Sequence, residues 1–154
     1  MAHTRRTTIR RCKRDELTRV HELEIECFPK GALPLFAIVQ YFDLFETTFF
    51  VALRSEDCVG FVIVGASSDT PNVAWLLDIA VSSAHRKQGI GRALMAAVIP
   101  VLCGRGVSGI RATVAPQNAA SLALCTGLGF EIEREEPAYF GPNESRLLIR
   151  SAIG

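Results

Sequence analysis

Trp75-Leu76-Leu77-Asp78-Ile79-Ala80-Val81, followed after a short polar turn by Arg86-Lys87-Gln88-Gly89-Ile90-Gly91-Arg92, is the stretch that decides the fold. The first run is apolar and β-prone; the second sets two glycines at the head of an apolar, helically spaced segment. Together they read as a buried strand feeding a turn that opens a helix. The first N–H groups of a helix lack intrahelical partners and carry the positive end of its dipole, so such a junction favours an anion. Gly89 and Gly91 remove the Cβ atoms that would hold a ligand off the main chain, and Arg86, Lys87 and Arg92 add positive charge at the rim.

Two familiar phosphate loops are excluded by spacing. No Gly-Lys-Ser/Thr ending occurs, so this is not a Walker loop. A dinucleotide fingerprint needs Gly-x-Gly-x-x-Gly after the first strand, whereas Gly89-x-Gly91 leads to Leu94 in mid-chain. Arg86-x-x-Gly89-x-Gly91 instead resembles the pyrophosphate loop of the GNAT acetyltransferase superfamily, which binds acetyl-coenzyme A. Asn118-Ala119-Ala120-Ser121-Leu122-Ala123-Leu124-Cys125-Thr126-Gly127-Leu128-Gly129-Phe130 resembles that superfamily's next helix and the Gly-Phe entry to its next strand. With Leu23-Glu24-Ile25-Glu26-Cys27-Phe28-Pro29 and Tyr139-Phe140, these motifs are similar to the ribosomal-protein-alanine N-acetyltransferase (RimI-like) subgroup. The resemblance runs over residues 8–150 and is strongest over 74–130.

The 154 residues suit one domain with a sizeable core, and residues 1–154 are expected to form a single N-acetyltransferase domain. With 49% apolar and 21% charged residues the composition is that of a globular chain rather than a disordered one. Apolar stretches are broken well before the length of a membrane span, and residues 1–6 lead into no signal core, so a cytoplasmic protein without a membrane partner is expected. Five scattered cysteines, Cys12, Cys27, Cys58, Cys103 and Cys125, without a Cys-x-x-Cys pair argue against a disulfide framework and a zinc site. His3, His21 and His85 have no metal-ligand spacing, and no metal is expected. A net charge of +1 argues against nucleic acid as partner. The basic run Arg5, Arg6, Arg10, Arg11, Lys13 and Arg14 has two readings, an edge strand kept unpaired by charge or a surface that steers an acidic partner.

Periodicity predicts a strand over 7–12, a helix from Glu16 capped by Asp15, a second helix over 35–45, strands over 47–53 and 58–66 joined as a hairpin, and a strand over 73–81. A helix over 89–102 follows, with Pro100 expected to kink or end it. Then come a strand over 110–115, a helix over 118–128 and strands over 130–134 and 146–149. The order β α α β β β α β α β β is an α/β (α+β) mixture around one central mixed sheet flanked by helices, the arrangement the resemblance implies.

The resemblance further implies that an acceptor amine attacks the thioester directly. Ile79, Ala80 and Val81 match the strand whose main chain pairs with the pantetheine arm. Arg86, Lys87, Gln88, Gly89, Ile90, Gly91 and Arg92 match the pyrophosphate segment, and Asn118 matches a coenzyme contact that is also a good helix cap. The chain departs from the RimI-like pattern at two positions. Thr113 stands where a glutamate base is expected, and Cys125 where a tyrosine acid is expected. The Cys125 thiol reads either as a substitute general acid or as a small core residue. For the base, Asp78, Glu24, Glu26, Tyr139 and His85 remain open, as does a route through water. The leading expectation is an acetyl-coenzyme A-dependent N-acetyltransferase, monomer or homodimer, acting on a small amine or a protein N-terminus. The alternatives are a non-catalytic acyl-coenzyme A sensor and a toxin that acetylates charged transfer RNA.

Overall fold

The computed structural model describes residues 6–154; residues 1–5, with His3 and Arg5 of the basic run, lie outside the described residues. Strand β1 (Thr8–Arg11) leads through one 3-10 turn (Arg14–Glu16) into helix α1 (Leu17–Cys27). Asp15 does not cap α1 as expected: no side chain caps that helix. The carboxylate that organises the turn is Glu16, which accepts the Lys13 N–H at 2.8 Å and two Arg10 guanidinium N–H groups at 2.8 Å each. Helix α2 (Leu35–Phe45) starts at Pro34, whose fixed φ and missing donor suit a helix entry.

A second 3-10 turn (Glu46–Thr48) delays strand β2 (Phe49–Arg54) by two residues, because Thr48 turns inward and donates its hydroxyl to the Val64 carbonyl. The hairpin to β3 (Asp57–Ala66) turns on Ser55 and Glu56, at φ 50° and 68°, the paired left-handed conformation whose twist matches a two-residue hairpin. Strand β4 (Val73–Val81) spans the predicted residues. Helix α3 (Ile90–Cys103) runs through Pro100, so the expected early end does not occur. Pro100 has no N–H to donate to the Ala96 carbonyl, so one ladder bond is lost, but its own carbonyl accepts from Gly104 N–H at 3.0 Å and the helix continues to Cys103. Strand β5 (Gly109–Val114), helix α4 (Ala119–Gly127) and strands β6 (Glu131–Glu136) and β7 (Arg146–Ala152) complete the order.

The seven strands form one mixed sheet in the order β1-β2-β3-β4-β5-β7-β6. Every neighbouring pair is antiparallel except β4 with β5. Each face carries its own core. Helix α3 covers one, over Val62, Val64, Leu76, Ile79 and Ile110; α1 and α2 cover the other, over Phe49, Phe61, Ile63 and Ala80. Phe49 and Phe61 are fully buried, each worth about 2–3 kcal/mol of transfer free energy. Gly60 permits the close seat of α3, since a Cβ there would meet the Ala80 carbonyl at 3.1 Å and Ile90 Cγ2 at 3.2 Å.

Two irregularities shape the middle of the sheet. The parallel pairing of β4 with β5 covers only Val73 to Trp75 against Gly109 to Arg111, and the strands then part. On the other edge of β4, Ile63 pairs with Asp78 and Val64 with Leu76, leaving Leu77 as a bulge. The bulge inverts the alternation: Ala74 and Leu76 join the α3 core, whereas after it Ile79 and Val81 take that side and Ala80 the other.

Candidate functional site

The wedge between β4 and β5 opens into a cavity of about 550 Å³. One wall is the end of β4, Ile79 to Val81, whose edge has lost its parallel partner. The floor is the loop into α3. Lys87 and Gly89 both adopt left-handed φ, 60° and 78°, and this pair of reversals points the chain into the helix. The first intrahelical bond runs from Ala93 N–H to the Gly89 carbonyl at 2.9 Å, so the N–H groups of Ile90, Gly91 and Arg92 precede the ladder. No side chain caps α3, and no acidic residue stands in its first turn. Arg86, Lys87 and Arg92 line the same space and make no ion pair among the described residues. An uncapped helix terminus with cations at its rim suits a phosphate-bearing ligand.

The opposite wall is α4. Ala120, Ala123, Leu124, Gly127 and Leu128 face the cavity at helical spacing. Helices α3 and α4 approach so closely at Gly91 that a Cβ there would meet Leu124 Cδ1 at 2.8 Å. Asn118 accepts the Ser121 N–H at 3.1 Å as the α4 cap and also borders the cavity. Arg92 donates to the Gly127 carbonyl at 3.1 Å, tying the two helices at the mouth. Arg86 Nε donates to the Val81 carbonyl at 3.3 Å, and the Cys27 thiol approaches the same oxygen at 3.5 Å. The Val81 carbonyl thus already has partners.

Of the eleven residues matched in the sequence to coenzyme contacts, ten line this cavity together: Ile79, Ala80, Val81, Arg86, Lys87, Gly89, Ile90, Gly91, Arg92 and Asn118. Gln88 is exposed in the same loop but does not border it. Cys125 lies on the core side of α4, 3% exposed, and burial pushes its thiol up to about 11. Thr113 is half-buried on β5, on the side opposite Ala112 and Val114. Neither Cys125 nor Thr113 borders the cavity.

Among the open candidates for a base, His85 alone lines the cavity, with its Nδ1 buried and unpartnered. Glu26 and Tyr139 are exposed and stand outside it. Glu24 and Asp78 are both buried and meet each other between α1 and β4, a contact that the alternation of β4 alone does not reveal. Cys27 and Phe28, at the end of α1, belong to the 23–29 motif but were given no role in the site, and they line the wall. The Phe-Pro stop that ends α1 was visible; that it reaches the wedge depends on how α1 crosses the sheet. All five cysteines are free, and no helix among the described residues is long and apolar enough to cross a membrane.

Comparison with known proteins agrees with this geometry. The model of the acetyltransferase (GNAT) family matches residues 17–130. An L-2,4-diaminobutyric acid acetyltransferase of Nocardia farcinica is 32% identical over 80 residues, covering 52% of this chain and 42% of the relative. The ribosomal protein bS18-alanine N-acetyltransferase of Escherichia coli is 37% identical over 73 residues, covering 47% of this chain and 49% of the relative. The chain thus spans about half the length, or less, of these two curated relatives. Among solved structures, the diaminobutyrate acetyltransferase EctA of Paenibacillus lautus, in complex with L-2,4-diaminobutyric acid and coenzyme A, superposes with a TM-score of 0.82. It is 26% identical, with 95% of each chain covered.

Proposed function

The chain belongs to the acetyltransferase (GNAT) family, and from that premise we propose that it transfers an acetyl group from acetyl-coenzyme A directly to a primary amine. The observation that carries this reading is the uncapped α3 terminus, with Arg86, Lys87 and Arg92 around it, opening onto the free edge of β4 in one cavity. The fit to the co-substrate is good on both counts, anion and extended arm. The N–H groups of Ile90, Gly91 and Arg92 hold the pyrophosphate, Arg86 and Lys87 neutralise it, and Gln88 closes the loop from outside. The main chain of Ile79 and Ala80 holds the pantetheine arm, with Val81 contributing mainly through its position beside Arg86. Asn118 contacts the coenzyme while capping α4. When bound, the co-substrate supplies a thioester carbonyl and a thiol leaving group.

What the protein adds is alignment of the two reactants and exclusion of water, the terms that dominate when no covalent intermediate is formed. Cys125 belongs to the core in this reading and donates no proton. No carboxylate among the described residues borders the cavity, so the ammonium proton of the acceptor leaves to His85, the one base candidate that lines it, or through water at the mouth. Relatives named for 2,4-diaminobutyric acid and for a ribosomal protein N-terminal alanine support a primary amine as acceptor class. Small diamino acids and peptide N-termini are its two candidate forms.

A thiol-release assay with acetyl-coenzyme A and a panel of diamino acids, monoamines and N-terminal peptides tests the proposal. Turnover with at least one amine is expected, with kcat/KM rising with pH up to the pKa of that amine. Tight coenzyme binding by calorimetry without transfer to any acceptor would instead identify an acyl-coenzyme A sensor.

A further inference from the structure

The carboxyls of Glu24 on α1 and Asp78 on β4 meet in the core between that helix and the sheet, behind the Ile79–Val81 wall of the cavity. Both residues are more than nine-tenths buried, at 2% and 9% exposure. Of their four oxygens, Glu24 Oε1 accepts the Leu33 N–H at 3.1 Å. The Ile79 N–H sits beside the Asp78 carboxyl. Glu24 Oε2 and Asp78 Oδ2 are buried without any donor among the described residues. No cation among the described residues compensates Asp78. Glu24 is the only titratable side chain that acts on Asp78 among the described residues, β3 sets Ile63 opposite it, and Glu26 and Arg86 act on Cys27 one turn further along α1.

Two ionised carboxylates in this setting would face each other in low dielectric with both outer oxygens unpaired, which is strongly unfavourable. One proton on Asp78 converts it into a donor, pairs Asp78 Oδ2 with Glu24 Oε2, and removes both orphans together. We propose that Glu24 and Asp78 hold a single proton between them, and that this pair positions the acceptor side of the cavity by latching α1 and its connection to α2 onto β4. The latch acts through short paths. Phe28 N–H bonds to the Glu24 carbonyl at 2.8 Å, which sets Cys27 and Phe28 against the cavity, and Asp78 directly precedes Ile79 and Ala80. Desolvation first, and then Glu24, hold the Asp78 carboxyl well above the usual carboxylate range, in agreement with the geometry.

The positioning half rests on the acetyltransferase reading; the shared proton does not. The proton is tested by urea unfolding of the intact protein and of Asp78→Asn from pH 4.5 to 8.5. The Asn amide donates the same bond and has no proton to lose. Relative to the variant, the unfolding constant of the wild-type protein should rise about tenfold per pH unit, from the ordinary carboxylate pKa up to the raised one. Parallel profiles overturn the shared proton.

Positioning is tested by kinetics. Asp78→Ala should raise the KM for the amine at least fivefold while the coenzyme Kd stays within twofold, and Asp78→Asn should restore that KM. Equal shifts in both constants, or no shift, overturn the positioning role. If the wild-type protein acetylates no amine, the acetyltransferase reading fails, and the urea profiles still decide the proton.

Discussion

Replacing Cys125 by Ala separates a proton donor from a core residue by orders of magnitude. The side chain is 3% exposed within the cluster that joins α4 to the sheet, so losing its sulfur removes one buried atom and leaves a small void. That should cost about 1 kcal/mol, or roughly 2–4 °C in Tm for a chain of this size. A lost general acid would lower turnover by roughly 10² to 10⁴. Thermal unfolding gives the first number and thiol release at saturating acetyl-coenzyme A the second. Cys125→Ala should melt slightly earlier and turn over within twofold of the native protein. Cys125→Tyr should be the worse variant, because a ring forced into that space strains the core by about 1–3 kcal/mol. A hundredfold loss in kcat for Cys125→Ala, with Tm and coenzyme affinity intact, would refute the core assignment.

Gly91→Ala brings a Cβ to 2.8 Å from Leu124 Cδ1 and must displace it by about 1 Å to reach a normal carbon contact; calorimetry should show at least a fivefold weaker coenzyme Kd with the fold retained, and an unchanged Kd would remove Gly91 from the site. Alkylation at neutral pH followed by mass spectrometry should modify Cys27 and Cys103 before Cys12, Cys58 and Cys125, since burial pushes the last three up to about 12, 11 and 11. Coenzyme should protect Cys27, which lines the cavity, and leave Cys103 reactive. The Arg10 hydrogen bond holds Glu16 below the usual carboxylate range, so its contribution is present above the ordinary pKa and fades as pH falls through the lowered one. Glu16→Gln should therefore lose about 1 kcal/mol or less at pH 7, and the gap to the native protein should close in acid.

How far the sequence discloses this molecule depends on whether a feature is local. Strand β4 and helix α2 emerge with their predicted bounds, because an apolar run broken only by Asp78 and a Pro-initiated stripe are written in adjacent residues. The loop from Arg86 to Arg92 is equally local, and nearly all of it converges on one cavity. The meeting of Glu24 and Asp78 is not local. It requires the bulge at Leu77, and nothing in the composition of that strand announces an extra residue. The Asp15 cap failed for a related reason: the neighbouring carboxylate of Glu16 found a better partner in Arg10, six residues back across the turn. The cavity face of α4 was available in principle, as the spacing of Ala120, Ala123, Leu124 and Gly127. Small residues on a helix, however, mark a close approach only once the approaching element is known.

The parting of β4 from β5 carries a liability as well as an opportunity. Past Trp75 and Arg111 the facing strand edges hold backbone donors and acceptors that no neighbouring strand satisfies, the kind of surface that nucleates intermolecular pairing. Here the edges are kept inside a cleft instead of being blunted by charge or proline. A ligand that fills the cleft becomes a surrogate strand and shields both edges. At a hundred times its Kd it would also add about 2.7 kcal/mol to the folded state. Solubility and shelf life should thus follow coenzyme occupancy, with aggregation of the free protein beginning at this seam.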